Sequence, residues 1–122
     1  MSIRADRVLI ADLAVSAVIG VWDWEREIEQ KLLIDLTMET DVRAAARSDA
    51  LEDALNYQAV GESVTEYVRA AKPKLIEVLA EGIAELVLAR PEVTAVGVTV
   101  KKPGALPAAG HVAVSVWRQS KA

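Results

Sequence analysis

The chain has 122 residues, enough for one domain with a buried core, and its 52% hydrophobic and 26% charged residues describe a globular rather than a disordered protein. A formal charge of −4, with basic residues scattered apart from the Lys101-Lys102 pair, argues against nucleic-acid binding. There is no cysteine, which excludes disulfides and thiolate chemistry, and a single histidine, His111, so a zinc or iron site would need carboxylates or histidines from several subunits.

The first segment, Arg4 to Ala11, mixes apolar and charged residues and reads as a strand. Arg4, Asp6 and Arg7 interrupt any signal-peptide core, so a cytoplasmic location is expected. No stretch approaches the roughly 20 apolar residues that a membrane span needs. Val15 to Val21 follows, with Gly20 as a bend. Lys31 to Thr40 alternates: Leu32, Ile34, Leu36 and Met38 share one face, and Asp35, Thr37 and Glu39 the other. That is a strand with one buried side. Asp41 to Ala54 reads as a short helical turn plus a loop. Asn56 to Ala71 predicts a helix, with Val60, Val64, Tyr67, Val68 and Ala71 at helical spacing and Asn56 as N-cap.

After Pro73 a second helix is predicted from about Leu75 to Ala89, ahead of Pro91. Val93 to Lys102 and His111 to Arg118 are the last two strands, joined by a turn containing Pro103, Gly104 and Pro107. With no repeat or linker, residues 1–122 read as a single domain. The predicted order is β-β-α-α-β-β, an α+β layer with both helices on one face of a four-stranded sheet. Such a sheet has two open edges, which pairing with another chain would cover. Without Phe, the core must come from Leu, Val, Ile and Ala, with three Trp as large exceptions.

Four residues could carry chemistry. Lys102 falls by strand parity on the face of Val96, Val98 and Val100, while Lys101 shares the other face with Thr99. A lysine on an apolar face loses hydration, which suits its amine to proton transfer; alternatively, the strand ends at Lys101 and the Lys102 ammonium reaches water. Glu25, between Trp24 and a run of charges, is either a carboxylate in a pocket wall or a solvated loop acid. Tyr57, beside the Asn56 cap, offers a phenol for proton traffic or simply packs. Glu77 aligns with Glu81 and Glu85 as an exposed stripe, or is a carboxylate held near helix-end amides. His111 reads as structural, and Trp22, Trp24 and Trp117 as core or interface.

Four stretches taken together resemble the dihydroneopterin aldolase family over nearly the whole chain, about Ile3 to Arg118. They are Ile19 to Glu25 running on through Ile28 to Leu32; Ser48-Asp49 with Leu55 to Val60; Leu75 to Glu81; and Val100 to Ala105. The Asp23-Trp24-Glu25 form is similar to the proteobacterial branch. The resemblance implies the T-fold, an antiparallel four-stranded sheet backed by two helices. It also implies rings of four subunits, commonly stacked as an octamer, with active sites between subunits. The implied reaction is retro-aldol cleavage of the pterin 7,8-dihydroneopterin in folate biosynthesis, with possible epimerisation of the side chain and with no metal, Schiff base or cofactor.

The implied roles are Lys102 as general acid/base and Glu25 as its orienting partner. Tyr57 from the adjacent subunit handles side-chain protons. Glu77 anchors the aminopyrimidine edge. Ile76 and Leu55 flank the ring, and main-chain groups near Leu55, Asn56 and Ile76 complete the contacts. Of the lysine doublet, Lys102 is chosen because it immediately precedes Pro103-Gly104. The alternatives are a dihydroneopterin triphosphate epimerase, which the Leu55-Asn56-Tyr57 segment also resembles, and a non-catalytic pterin-binding protein on the same fold.

Overall fold

The structure, a computed structural model, describes residues 5–121. Four strands form one antiparallel sheet in the order β1-β2-β3-β4: β1 is Arg7–Ala17, β2 Gln30–Glu39, β3 Ala95–Pro103 and β4 His111–Gln119. Between β2 and β3 lie a short helix α1 (Arg43–Ser48) and two longer ones, α2 (Tyr57–Ala71) and α3 (Ile76–Leu88). Short 3-10 turns occupy Asp23–Glu27 and Leu51–Asp53. The arrangement is the expected α+β layer with α2 and α3 on one sheet face, and β1 and β4 form its two edges.

The alternation read in β2 is what builds the core. Leu32, Ile34, Leu36 and Met38 are all buried, and Ile34, Leu36 and Met38 stand opposite Val100, Val98 and Val96 of β3. Val60, Val64 and Val68 of α2 and Leu79, Ile83 and Val87 of α3 close over that surface. Each such side chain contributes about 1.5–3 kcal/mol relative to exposure. The Asn56 side chain accepts a hydrogen bond from the Ala59 N–H at 3.1 Å, which is the predicted cap of α2. None of the three Trp belongs to the core, so of the two readings, core or interface, the first does not hold. Trp22 and Trp24 project from the first 3-10 turn, and Trp117 lies on the sheet face away from the helices, its indole over Gly97.

The first strand differs from the reading in two pieces. The chain runs on from Ile10 to Leu13 through a bulge, where the register against β2 shifts and Asp12 takes φ 54. The bulge is pinned from outside the strand: the Asp12 N–H donates to Asp35 Oδ1 at 2.7 Å, and Lys101 Nζ donates to the Asp12 carboxylate at 2.9 Å. The start of the predicted strand at Arg4 lies outside the described residues.

Candidate active site

The site begins with the way the chain turns out of β1. Gly20 has φ +130, a conformation that side-chain-bearing residues rarely adopt, and a Cβ there would overlap the carboxylate of Glu25. Glycine therefore both makes the bend and leaves the space into which Glu25 folds back. Glu25 is 4% exposed although it belongs to a surface turn. Its Oε1 accepts from the Trp22 N–H at 3.1 Å, and its Oε2 accepts from Gln30 Nε2 at 3.1 Å. The Gln30 amide is itself fixed, donating to the Ile19 carbonyl at 2.9 Å. Glu25 is thus the pocket-wall carboxylate of the two readings, and not a solvated loop acid.

Lys102 comes to it from the far end of β3. Pairing with β2 ends at Leu33 opposite Lys101, so Lys102 continues the helix-side face past the last β2 rung. Its Nζ donates to Glu25 Oε2 at 2.7 Å, with the lysine side chain 15% exposed. The ammonium does not simply reach out into water. The Lys102 hydrogen bond holds the Glu25 carboxyl down at about 2 from its ordinary 4.5; burial opposes this, and the Gln30 amide and Trp22 N–H assist it.

The lysine doublet separates by geometry. Lys101 points to the opposite sheet face, where its Nζ lies 2.9 Å from Asp12 Oδ1 and 2.7 Å from Asp35 Oδ2. The Asp12 hydrogen bond, followed by that of Asp35, raises the Lys101 amine above its ordinary value. The Lys101 hydrogen bond, followed by the Asp12 N–H, lowers the Asp35 carboxyl.

Lys102 and Glu25 open onto a cleft of about 300 Å³, at the lower end of small-molecule sites. Its other wall is the start of α3, where Lys74, Ile76 and Glu77 line the same space. Trp22, Trp24 and Gly104 form its rim. Ile76 is buried, whereas Glu77 is exposed in the first helical turn with its carboxylate free to meet a ligand edge. One chain therefore brings together Lys102, Glu25, Glu77 and Ile76. It does not bring Tyr57, Asn56 or Leu55 to this cleft. Tyr57 is 63% exposed at the start of α2, Asn56 caps that helix, and the Leu55 side chain is buried in the core.

Sequence reasoning gave no role to Gln30. Its signals were its place in the Ile28 to Leu32 stretch and its position five residues after Glu25, and that position becomes meaningful only once Gly20 has folded the carboxylate back. Among the described residues no group of three His, Asp or Glu is placed to hold a metal ion. No helix among them is long and apolar enough to cross a membrane.

The family model for FolB, dihydroneopterin aldolase, matches residues 8–117. The chain belongs to the dihydroneopterin aldolase family. The Escherichia coli K12 dihydroneopterin aldolase is 44% identical over 113 residues, which cover 93% of each chain. The atomic-resolution crystal structure of Escherichia coli dihydroneopterin aldolase in complex with neopterin superposes with a TM-score of 0.89, covering 93% of this chain and 98% of that one. The Burkholderia thailendensis dihydroneopterin aldolase bound to guanine, 28% identical, superposes with a TM-score of 0.81 over 94% of this chain and 91% of that one. The sheet with helices on one face is thus the T-fold of the dihydroneopterin aldolases, as the sequence resemblance implied.

Proposed function

We propose that this cleft binds 7,8-dihydroneopterin and cleaves it to 6-hydroxymethyl-7,8-dihydropterin and glycolaldehyde, by acid-base chemistry centred on Lys102. The observation that carries this reading is a part-buried ion pair, Lys102 Nζ to Glu25 at 2.7 Å, which shares one small cleft with Glu77. A fused ring with an aminopyrimidine edge offers two parallel N–H donors, which a carboxylate such as Glu77 accepts as a pair. Ile76 supplies an apolar surface for the ring plane. The neopterin and guanine held by the two relatives carry the same aminopyrimidine edge.

Cleavage proceeds by loss of the proton from the second side-chain hydroxyl and scission of the bond between the first and second side-chain carbons. The two electrons released pass into the ring C=N bond, whose nitrogen takes a proton. Glycolaldehyde leaves, and the enolic intermediate is then protonated on the first side-chain carbon while the ring nitrogen gives its proton back. The substrate stores its own electron pair, so the chain must supply only positioned proton donors and acceptors. Lys102 supplies the proton at the ring nitrogen through a water molecule. Glu25, fixed by Gln30 and the Trp22 N–H, keeps the lysine aimed.

The remaining proton carrier is Tyr57 of a neighbouring copy, with the main chain around its Leu55 and Asn56 meeting the ring. In support, the phenol is largely exposed, both sheet edges are open, and Val21, Trp22, Trp24 and Leu75 expose apolar surface around the cleft. Rings of four, stacked in pairs, would cover these edges. The discriminating experiment supplies purified protein with 7,8-dihydroneopterin or its triphosphate, with and without chelator. Chelator-insensitive glycolaldehyde release from the unphosphorylated compound is expected. Isomerisation of the triphosphate without cleavage would overturn the reading in favour of an epimerase.

A further inference from the structure

Arg26 immediately follows Glu25 and has no part in the chemistry above, yet it is half-buried and its guanidinium makes three hydrogen bonds. Its Nη1 donates to the Gly20 carbonyl at 3.2 Å and to the Pro73 carbonyl at 2.9 Å, and its Nη2 donates to the Lys72 carbonyl at 2.5 Å. All three acceptors are main-chain oxygens, and they come from two segments far apart in sequence. Gly20 begins the turn that carries Trp22 and Glu25, one wall of the cleft. Lys72 and Pro73 lead into Ile76 and Glu77, the other wall.

We propose that Arg26 is a positioning residue that clamps these two walls together and sets the distance between Glu77 and the Lys102–Glu25 pair. The proposal rests on the reading above only for the identity of the ligand. The segment between α2 and α3 has little means of its own to hold its place. Lys72 ends α2 in the left-handed region at φ 47, leaving helix-end carbonyls in need of donors, and Pro73 has no N–H. A cation is favoured at that carbonyl-rich helix end. A guanidinium also presents several N–H groups in one rigid plane, so a single side chain can hold three oxygens in fixed relative positions. A lysine in its place would keep the charge without that geometry. The cleft must hold a flat ring at Glu77 while presenting a ring nitrogen to Lys102; the Lys102–Glu25 pair keeps its own hydrogen bonds to Gln30 and the Trp22 N–H, so a drifting Glu77 wall is felt first in ligand binding. In the sequence Arg26 was hidden between Glu25 and Glu27, where it looks like one more surface charge.

The test compares wild type, Arg26→Lys and Arg26→Ala in full-length protein. Neopterin affinity is measured by titration, kcat and KM with 7,8-dihydroneopterin, amide exchange across residues 72–77, and melting temperature. Both variants should bind neopterin about tenfold more weakly with a matching rise in KM, a smaller change in kcat and faster exchange confined to 72–77. The Arg26→Lys melting temperature should stay near wild type. An Arg26→Lys variant that binds neopterin as wild type does would overturn the clamp. So would a loss of affinity accompanied by uniformly faster exchange and a lower melting temperature, which is ordinary destabilisation. Should wild type itself neither bind nor cleave, the reading of the substrate fails, and exchange at 72–77 alone decides whether Arg26 holds the two walls.

Discussion

The two adjacent lysines of β3 show how strand parity turns two identical side chains to different purposes. Lys101 is held by Asp12 and Asp35 on the outer sheet face and braces the bulge of β1; Lys102 is held by Glu25 at the cleft. Lys102→Ala should therefore lower turnover of 7,8-dihydroneopterin by roughly 10²–10⁴-fold, the span of a general acid/base, while Lys101→Ala leaves kcat close to wild type. Equal losses in the two variants would remove the distinction. Glu25 makes a second prediction, of pH-dependent stability. Its carboxyl lies at about 2 in the folded protein against an ordinary 4.5. The folded state thus holds its charged form more tightly. The resulting stabilisation is complete above about pH 4.5 and is lost as pH falls towards about 2. Urea midpoints of wild type and Glu25→Gln should differ by a constant amount near neutrality and converge through that acid window. A difference that stays constant down to about pH 3 would show that the pair does not stabilise the fold.

Local sequence pattern made some elements legible and left others hidden. The strand alternation of β2, the helical spacing and Asn56 cap of α2, and the Val96-Val98-Val100-Lys102 face were readable because each is set by neighbours a few residues away. The continuous β1 was not, because Asp12 looks like a break until Asp35 and Lys101, remote in sequence, pin the bulge. Glu25 resembled a solvated acid for the same reason. Its burial depends on Gly20, Gln30 and Lys102 meeting in space. Without the family resemblance, the residues alone left each candidate side chain with two readings. The turn itself is open to a direct check. Gly20→Ala adds a Cβ where the Glu25 carboxylate lies and forces a φ of +130 on a side-chain-bearing residue. A loss of about 1–3 kcal/mol in stability and a collapse of turnover are expected. A variant as stable and active as wild type would mean that the bend does not hold Glu25.

On the function proposed above, one chain presents only part of the site. The Lys102–Glu25 pair and Glu77 line one cleft, while Tyr57 stands exposed at the start of α2, outside it. Open edges at β1 and β4 and the apolar rim around Trp22 and Trp24 offer surfaces through which a second copy can bring its phenol to the first. Joining edges would bury backbone groups that now face solvent, so assembly and catalysis become one event on this account. The most direct measurement mixes two disabled proteins, Lys102→Ala and Tyr57→Phe, denatures and refolds them together, and follows glycolaldehyde release from 7,8-dihydroneopterin. If lysine and tyrosine act from different chains, mixed assemblies contain sites with both native residues, and activity should rise well above that of either parent refolded alone. A mixture no more active than the sum of its parents, at the same assembled mass, would contradict a site shared between chains.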